Sequence, residues 1–335
     1  MICRSIIFTN SPLLKAYKYG EIFQLVPIYY LSDAPFSKYA SHFPAILEYQ
    51  VEEVEEDIAC EEEFRKKGLS EDVLRICRKI PHEIRVRKEI LHLLSSVTNF
   101  HFFEYNSKYD CWGIQVPMKD VSDLSKEELS YFENQTSHWI IRGYRYPNIG
   151  KDLNVTDFTT CCNYYETTDD PMKYFTNNPH LAGNPEIKFP FGLEYVLDRY
   201  YSLDLDDRNI VAQCIGLLYD GIDLFDTKRS VSLLSIVSSI EGMAKLDYSK
   251  YGKGEKIRPT ARFLRYLKIY VAGKSEEKFR QFYKKRCDIS HDGILFLSDF
   301  DLYGDLKIQD EDWLQRLEIL QVARLALYNW LRRKL

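Results

Sequence analysis

The stretch SEEKFRQFYKKRCDISHDG, residues 275–293, decides how the chain is read. It predicts one helix over Ser275–His291, closed by Gly293 as a C′ terminator, which puts His291 in the last turn, where the helix macrodipole and nearby carbonyls favour positive charge. Four more helical patterns flank it: Asp204–Leu224, Thr227–Leu246, Arg258–Val271 with Pro259 at an N1-like position, and Asp310–Leu335. In the last of these Trp313, Leu317, Leu320, Leu327, Tyr328 and Leu331 fall on one face. Five amphipathic helices with short connections predict an all-α antiparallel bundle over residues 201–335.

Upstream the texture differs. Ile2–Thr9, Glu21–Leu31, Ala45–Val54, Phe100–Tyr105, Cys111–Pro117 and Trp139–Tyr146 are rich in aromatic and β-branched residues and bounded by turn formers, which predicts strands. A helical stretch over Ser70–Thr98 is expected to break at Pro81 and to bury Ile90, Leu91, Leu93 and Leu94. Residues 1–200 therefore read as an α+β domain. Thr167–Phe191, dense in proline, asparagine and glycine, reads as the linker. The acidic run Glu52–Asp57, continued by Glu61–Glu63, reads as a solvated surface or edge strand.

The chain has 335 residues, 45% apolar and 28% charged, with a net charge of −5. No apolar run approaches the roughly 18–20 residues of a bilayer span, and the first residues lack the pattern of a signal peptide. A cytoplasmic protein with no membrane segment is expected. Its eight cysteines include no C-x-x-C and read as reduced thiols, with no metal site at Cys161-Cys162. Between Lys228 and His291 stand sixteen basic and six acidic residues, a net charge of +10, against −13 for residues 1–227. A basic segment behind an acidic front half suggests separate partners, with a polyanion as the natural one for the basic part; lysines on solvated helix faces are the plain alternative.

Arg286 and His291 carry the chemistry. Five residues apart, they lie about 140° apart at roughly 100° per residue. They meet on one ligand if the helix end distorts, or if a second copy supplies the complementary pair across a symmetric interface. An imidazole that takes a proton from a ribose 2′-hydroxyl or gives one to the departing 5′-oxygen, beside a permanently charged guanidinium that stabilises a pentacoordinate phosphate, suits RNA cleavage without a metal or cofactor. Asp288 is placed to orient the imidazole, and Ser290 and Tyr283 to donate to phosphate. Lys284, Lys285 and Arg280 are candidates for RNA binding. Cys287, four residues before His291, admits a thiol nucleophile, but no third orienting group or glycine-rich oxyanion turn accompanies it. A purely structural Arg286–His291 pair is the remaining reading. No phosphate-binding loop, dinucleotide fingerprint or H-E-x-x-H is present.

Tyr283-x-x-Arg286-Cys287-Asp288-Ile289-Ser290-His291-Asp292-Gly293 resembles the R-x(4–6)-H signature of HEPN domains, most closely the Apea-like group, and Ser239-Ile240-Glu241-Gly242-Met243 resembles that group's glutamate-bearing helix. The resemblance covers about residues 204–335 and departs at Cys287, where the motif has serine, and at Asp292, where it has glycine. It implies a bundle that forms a homodimer, a metal-independent endoribonuclease site on Arg286 and His291 with Glu241 in support, and a setting in antiviral defence or toxin-like systems. The N-terminal domain would then sense a protein trigger or partner. HEPN domains that act only as RNA-binding or interaction modules give the alternative class.

Overall fold

A computed structural model describes residues 2–27, 43–51, 65–68, 70–104, 125, 154–177, 186–252, 254, 256–300 and 306–333. The chain folds into two compact units. One takes Met1–Leu91, Phe102–Glu166 and Pro185–Ile187; the other takes His92–His101, Thr167–Asn184 and Lys188–Leu335. The chain thus passes between units several times, rather than once near residue 200. The expected strands Cys111–Pro117 and Trp139–Tyr146 and the acidic run lie outside the described residues.

The first unit is built on an antiparallel sheet of β1 (Ile2–Thr9), β2 (Tyr17–Tyr19), β3 (Phe23–Pro27), β4 (Phe43–Gln50), β5 (Phe102–Phe103) and β6 (Asn154–Val155). The order is β2-β3-β4-β1-β5, with β6 also paired to β1. Apolar residues such as Ile7, Leu25 and Leu47 are buried as the strand patterns predict. A polar row also crosses the sheet: Arg4 and Gln24 both stand opposite Glu48 in the register. The Glu48 carboxylate is fully buried and saturated. It accepts from Arg4 Nε at 2.8 Å, Gln24 Nε2 at 3.2 Å, the Thr159 amide at 2.8 Å and the Thr159 hydroxyl. A charge so enclosed is tolerable only because each lone pair is used.

Helix α1 (Glu71–Val97) runs through Pro81 without the expected break. Proline costs about 3 kcal/mol in a helix interior, confined to one turn. Ile90, Leu91, Leu93, Leu94 and Val97 are all buried further along, at roughly 1.5–3 kcal/mol each, and offset it. From the same helix Arg87 Nη1 donates to Ser5 Oγ at 3.2 Å and Tyr49 Oη at 3.1 Å and pairs with Glu104, fastening the helix to β1 and β4.

The second unit is mostly helical: α2 (Pro171–Thr176), α3 (Leu193–Tyr201), α4 (Leu205–Asp223), α5 (Arg229–Tyr251), α6 (Pro259–Tyr270), α7 (Glu276–Asp292) and α8 (Leu306–Arg332), with a 3₁₀ turn at Leu297–Asp299. The five expected helices are present, with ends displaced by a few residues. The proline-rich stretch is more than a linker. Its Asp170 caps α2, whose Pro171 sits in the first turn, and the parallel pair β7 (Thr167–Thr168) and β8 (Phe189–Pro190) brackets that helix. Asn99 clamps it, its side-chain amide donating to the Tyr174 carbonyl at 2.6 Å while the Tyr174 hydroxyl donates to the Lys188 carbonyl at 2.6 Å. Polar turn residues satisfy the backbone locally and leave Tyr174, Phe175 and Phe189 free to be buried.

Helix α8 also departs from expectation. The single apolar face becomes burial all round from Val322 to Tyr328, because α2, α3, α5 and α6 all pack on it. Among the described residues no helix is long and apolar enough to cross a membrane.

Replacing Glu48 by alanine would leave Arg4 Nε and the Thr159 amide without their acceptor, while Gln24 Nε2 and Arg4 Nη2 keep only the Thr159 carbonyl and hydroxyl. A loss of about 3–5 kcal/mol is expected, read as a lower urea midpoint for the sheet unit. A loss under about 1 kcal/mol would show that the row is already hydrated.

Candidate functional site

Helix α7 carries the site and is the least apolar of the bundle. Only Phe279, Phe282 and Ile289 are buried, a narrow stripe that leaves most of its circumference polar. Ser275 caps its start by accepting from the Lys278 amide, and Glu276 and Glu277 occupy the first turn. At the other end Gly293 adopts φ +67°, where a side chain would be strained, and the Ile294 amide reaches back to the Asp288 carbonyl at 3.0 Å. That closure stops the helix one residue past His291.

The Arg286 guanidinium is the centre of the site. Its Nη2 lies 3.2 Å from Glu241 Oε2 on α5, and its Nη1 lies 3.3 Å from both Ser290 Oγ and His291 Nε2. One chain therefore brings Arg286 and His291 together with the helix undistorted. The angular argument omitted the length of the arginine side chain, which spans the separation alone. Arginine can only donate, so this contact places a lone pair on His291 Nε2 and the imidazole proton on Nδ1. The Arg286 side chain is largely buried and His291 and Ser290 are exposed, giving an anchored cation beside an accessible base.

Behind Arg286, the Tyr283 phenol lies near both Glu241 and Thr260 at the start of α6. Burial first, and the neighbouring Glu241 charge after it, raise the Tyr283 pKa above its ordinary value of 10.0. Tyr283 thus keeps its phenolic proton beside the Glu241 carboxylate. Its ring meets Phe263 edge-on, with centroids 5.2 Å apart. Thr260 and Phe263 belong to the site's support and were not foreseen; Pro259, the helix-start signal beside them, is the clue in the sequence.

The other expected residues separate. Asp288 forms no hydrogen bond or ion pair with His291 among the described residues, and its backbone carbonyl closes the helix. Cys287 is a free, half-buried thiol, and the imidazole's hydrogen-bond partner is the guanidinium. Arg280 is held by Glu276 one turn back, and Lys285 Nζ lies 4.4 Å over the Phe296 ring. Lys284 is exposed and forms no ion pair among the described residues. Much of the basic excess is internally matched: Lys250 by Asp207, Arg265 by Asp247, Lys268 by Glu276, and both Lys274 and Lys278 by Glu318. Lys245, Arg258 and Arg262 have no such partner among the described residues, and they flank Glu241 and Thr260 in sequence on α5 and α6. Among the described residues no group of three or more His, Cys, Asp or Glu is placed to hold a metal ion.

The position of Glu241 depends on how closely α5 approaches α4. A Cβ on Gly242 would stand 2.5 Å from Cys214 Sγ, and Ser239 Oγ donates to the Cys214 carbonyl at 2.6 Å. No protein-family profile, no curated protein and no solved structure matches this chain.

Gly242→Ala is expected to lower stability by about 1–3 kcal/mol through this overlap, measured by thermal unfolding. Adding Cys214→Ala removes the colliding sulfur and should recover part of the loss. Strict additivity of the two changes would contradict the contact.

Proposed function

We propose that this chain is a metal-independent endoribonuclease of the HEPN type, acting as an antiviral-defence or toxin-like effector. The observation that carries the proposal is the 3.3 Å approach of an exposed imidazole to a guanidinium anchored from behind by Glu241. In this reading the guanidinium leaves His291 Nε2 for the phosphoryl oxygens, the freed lone pair takes the proton of a ribose 2′-hydroxyl, the 2′-oxygen attacks the adjacent phosphorus, and the 5′-oxygen leaves with a proton drawn from water. Arg286 neutralises the charge that builds on the phosphoryl oxygens, and the neutral imidazole is the form able to act as base. Ser290, already at the guanidinium, donates to the same phosphate. Lys284, Lys245, Arg258 and Arg262 attract the RNA backbone, and a homodimer through the helical unit sets two such pairs side by side. The sheet unit serves as the sensor for a protein trigger.

One feature favours a second reading, a non-catalytic HEPN module that binds RNA or a partner. The negatively charged Asp292 adjoins His291, and Glu241 already occupies one edge of the guanidinium.

The two part on activity. A ribonuclease of this kind keeps cutting RNA in EDTA, loses about 10²–10⁴-fold in rate with His291→Ala and about 10²–10³-fold with Arg286→Ala, and keeps its helical circular dichroism in both. Salt-sensitive RNA binding without cleavage by any of the three proteins would establish the module.

A further inference from the structure

Away from Arg286 and His291, a cleft of about 370 Å³ opens beside the turn that joins α4 to α5, lined by Asp226, Arg229, Asp310, Trp313 and Arg316. Its volume lies in the range of small-molecule sites, roughly 300–1,000 Å³. Arg316 is the unusual member. It is only 2% exposed, yet among the described residues no carboxylate forms an ion pair with it and its Nε has no hydrogen-bond partner. Among the described residues it donates one hydrogen bond, to the Phe225 carbonyl, and its guanidinium lies 4.4 Å over the Phe225 ring. Burial pushes its pKa down to about 10, outweighing the opposite pull of the Asp226, Asp299 and Asp312 charges nearby. A buried guanidinium with idle donors is costly unless something accepts from them.

The second cation, Arg229, uses part of its fork on the Ser298 carbonyl. Two guanidinium forks in one cleft fit a phosphate or carboxylate group. Asp226 and Asp310 would repel a bare anion, so the ligand must also present hydrogen-bond donors to them. Trp313 adds an aromatic wall suited to a flat ring. Anion, donors and flat ring occur together in a nucleotide. We propose that this cleft binds a nucleoside monophosphate, with the phosphate between Arg229 and Arg316, the base along Trp313, and the sugar hydroxyls or the base amino group donating to Asp226 and Asp310. The site shares no residue with the Arg286–His291 pair and does not depend on the ribonuclease reading.

Isothermal titration of the full-length protein with AMP, GMP, CMP and UMP, with inorganic phosphate and leucine as controls, tests it. At least one monophosphate is expected to bind saturably and more tightly than either control. Arg316→Met and Trp313→Ala are each expected to weaken that binding by about tenfold or more, while His291→Ala leaves it unchanged. Arg316→Met removes a buried charge that has no ion pair among the described residues, so its melting temperature without ligand should not fall by more than a few degrees; Trp313, partly exposed, provides a second variant of low folding risk. The proposal is overturned by the absence of saturable binding, by phosphate or leucine binding as tightly as the nucleotides, or by binding that survives both cleft variants and disappears in His291→Ala.

Discussion

The polar side chains that α5 turns inward have no solvent to meet, and the helix satisfies them by pairing them with its neighbours. Ser232 and Ser239 donate to the carbonyls of Gly221 and Cys214 on α4. Asp247, fully buried, accepts from Arg265 and Tyr270 on α6 and faces Arg333 beyond the end of α8. Asp299, from the 3₁₀ turn, accepts from the Arg229 and Ser230 amides and so caps a helix start that has no side-chain cap of its own. Glu241 pairs with Arg286 of α7. Each bond is directional, so together they fix the rotation of α5 and the register of its neighbours more narrowly than apolar packing alone would.

The candidate site follows from that arrangement. Because α5 cannot turn, Glu241 holds the guanidinium at a fixed place on α7, and the reach of Arg286 then brings it to His291 within the same chain. The narrow apolar stripe of α7 leaves Lys284, Ser290 and His291 toward solvent. The glycine closure at Gly293 ends the helix just past His291. A support that is buried and a reactive edge that is wet are what an acid–base site on RNA requires.

Much of this was legible in the sequence, and the failures share a cause. The helices from Asp204 onward are marked by caps and stops, Asp204, Pro259, Ser275 and Gly293, which act within a turn and survive any tertiary context. The Arg286–His291 spacing and Glu241 were also visible. Their convergence was not, because helical angles describe Cα positions and say nothing of how far an arginine reaches. At Asp288 the helix end uses the backbone carbonyl, and the side chain forms no hydrogen bond or ion pair with His291 among the described residues. Long-range pairings left no local trace. Nothing near Glu48 announces Arg4, Gln24 and Thr159, and nothing around Arg316 announces its burial. Proline and asparagine between Thr167 and Phe191 looked like a linker because a stretch that satisfies its own backbone has the same composition whether or not it packs.

The most direct measurement is the chemistry of the ends left on RNA cut by the purified protein in EDTA. Attack by the 2′-hydroxyl with His291 as base leaves 2′,3′-cyclic phosphate and 5′-hydroxyl ends, which the wild-type protein should produce and the His291→Ala variant should not. Ends carrying 3′-hydroxyl and 5′-phosphate, or equal cutting of DNA of the same sequence, would contradict it.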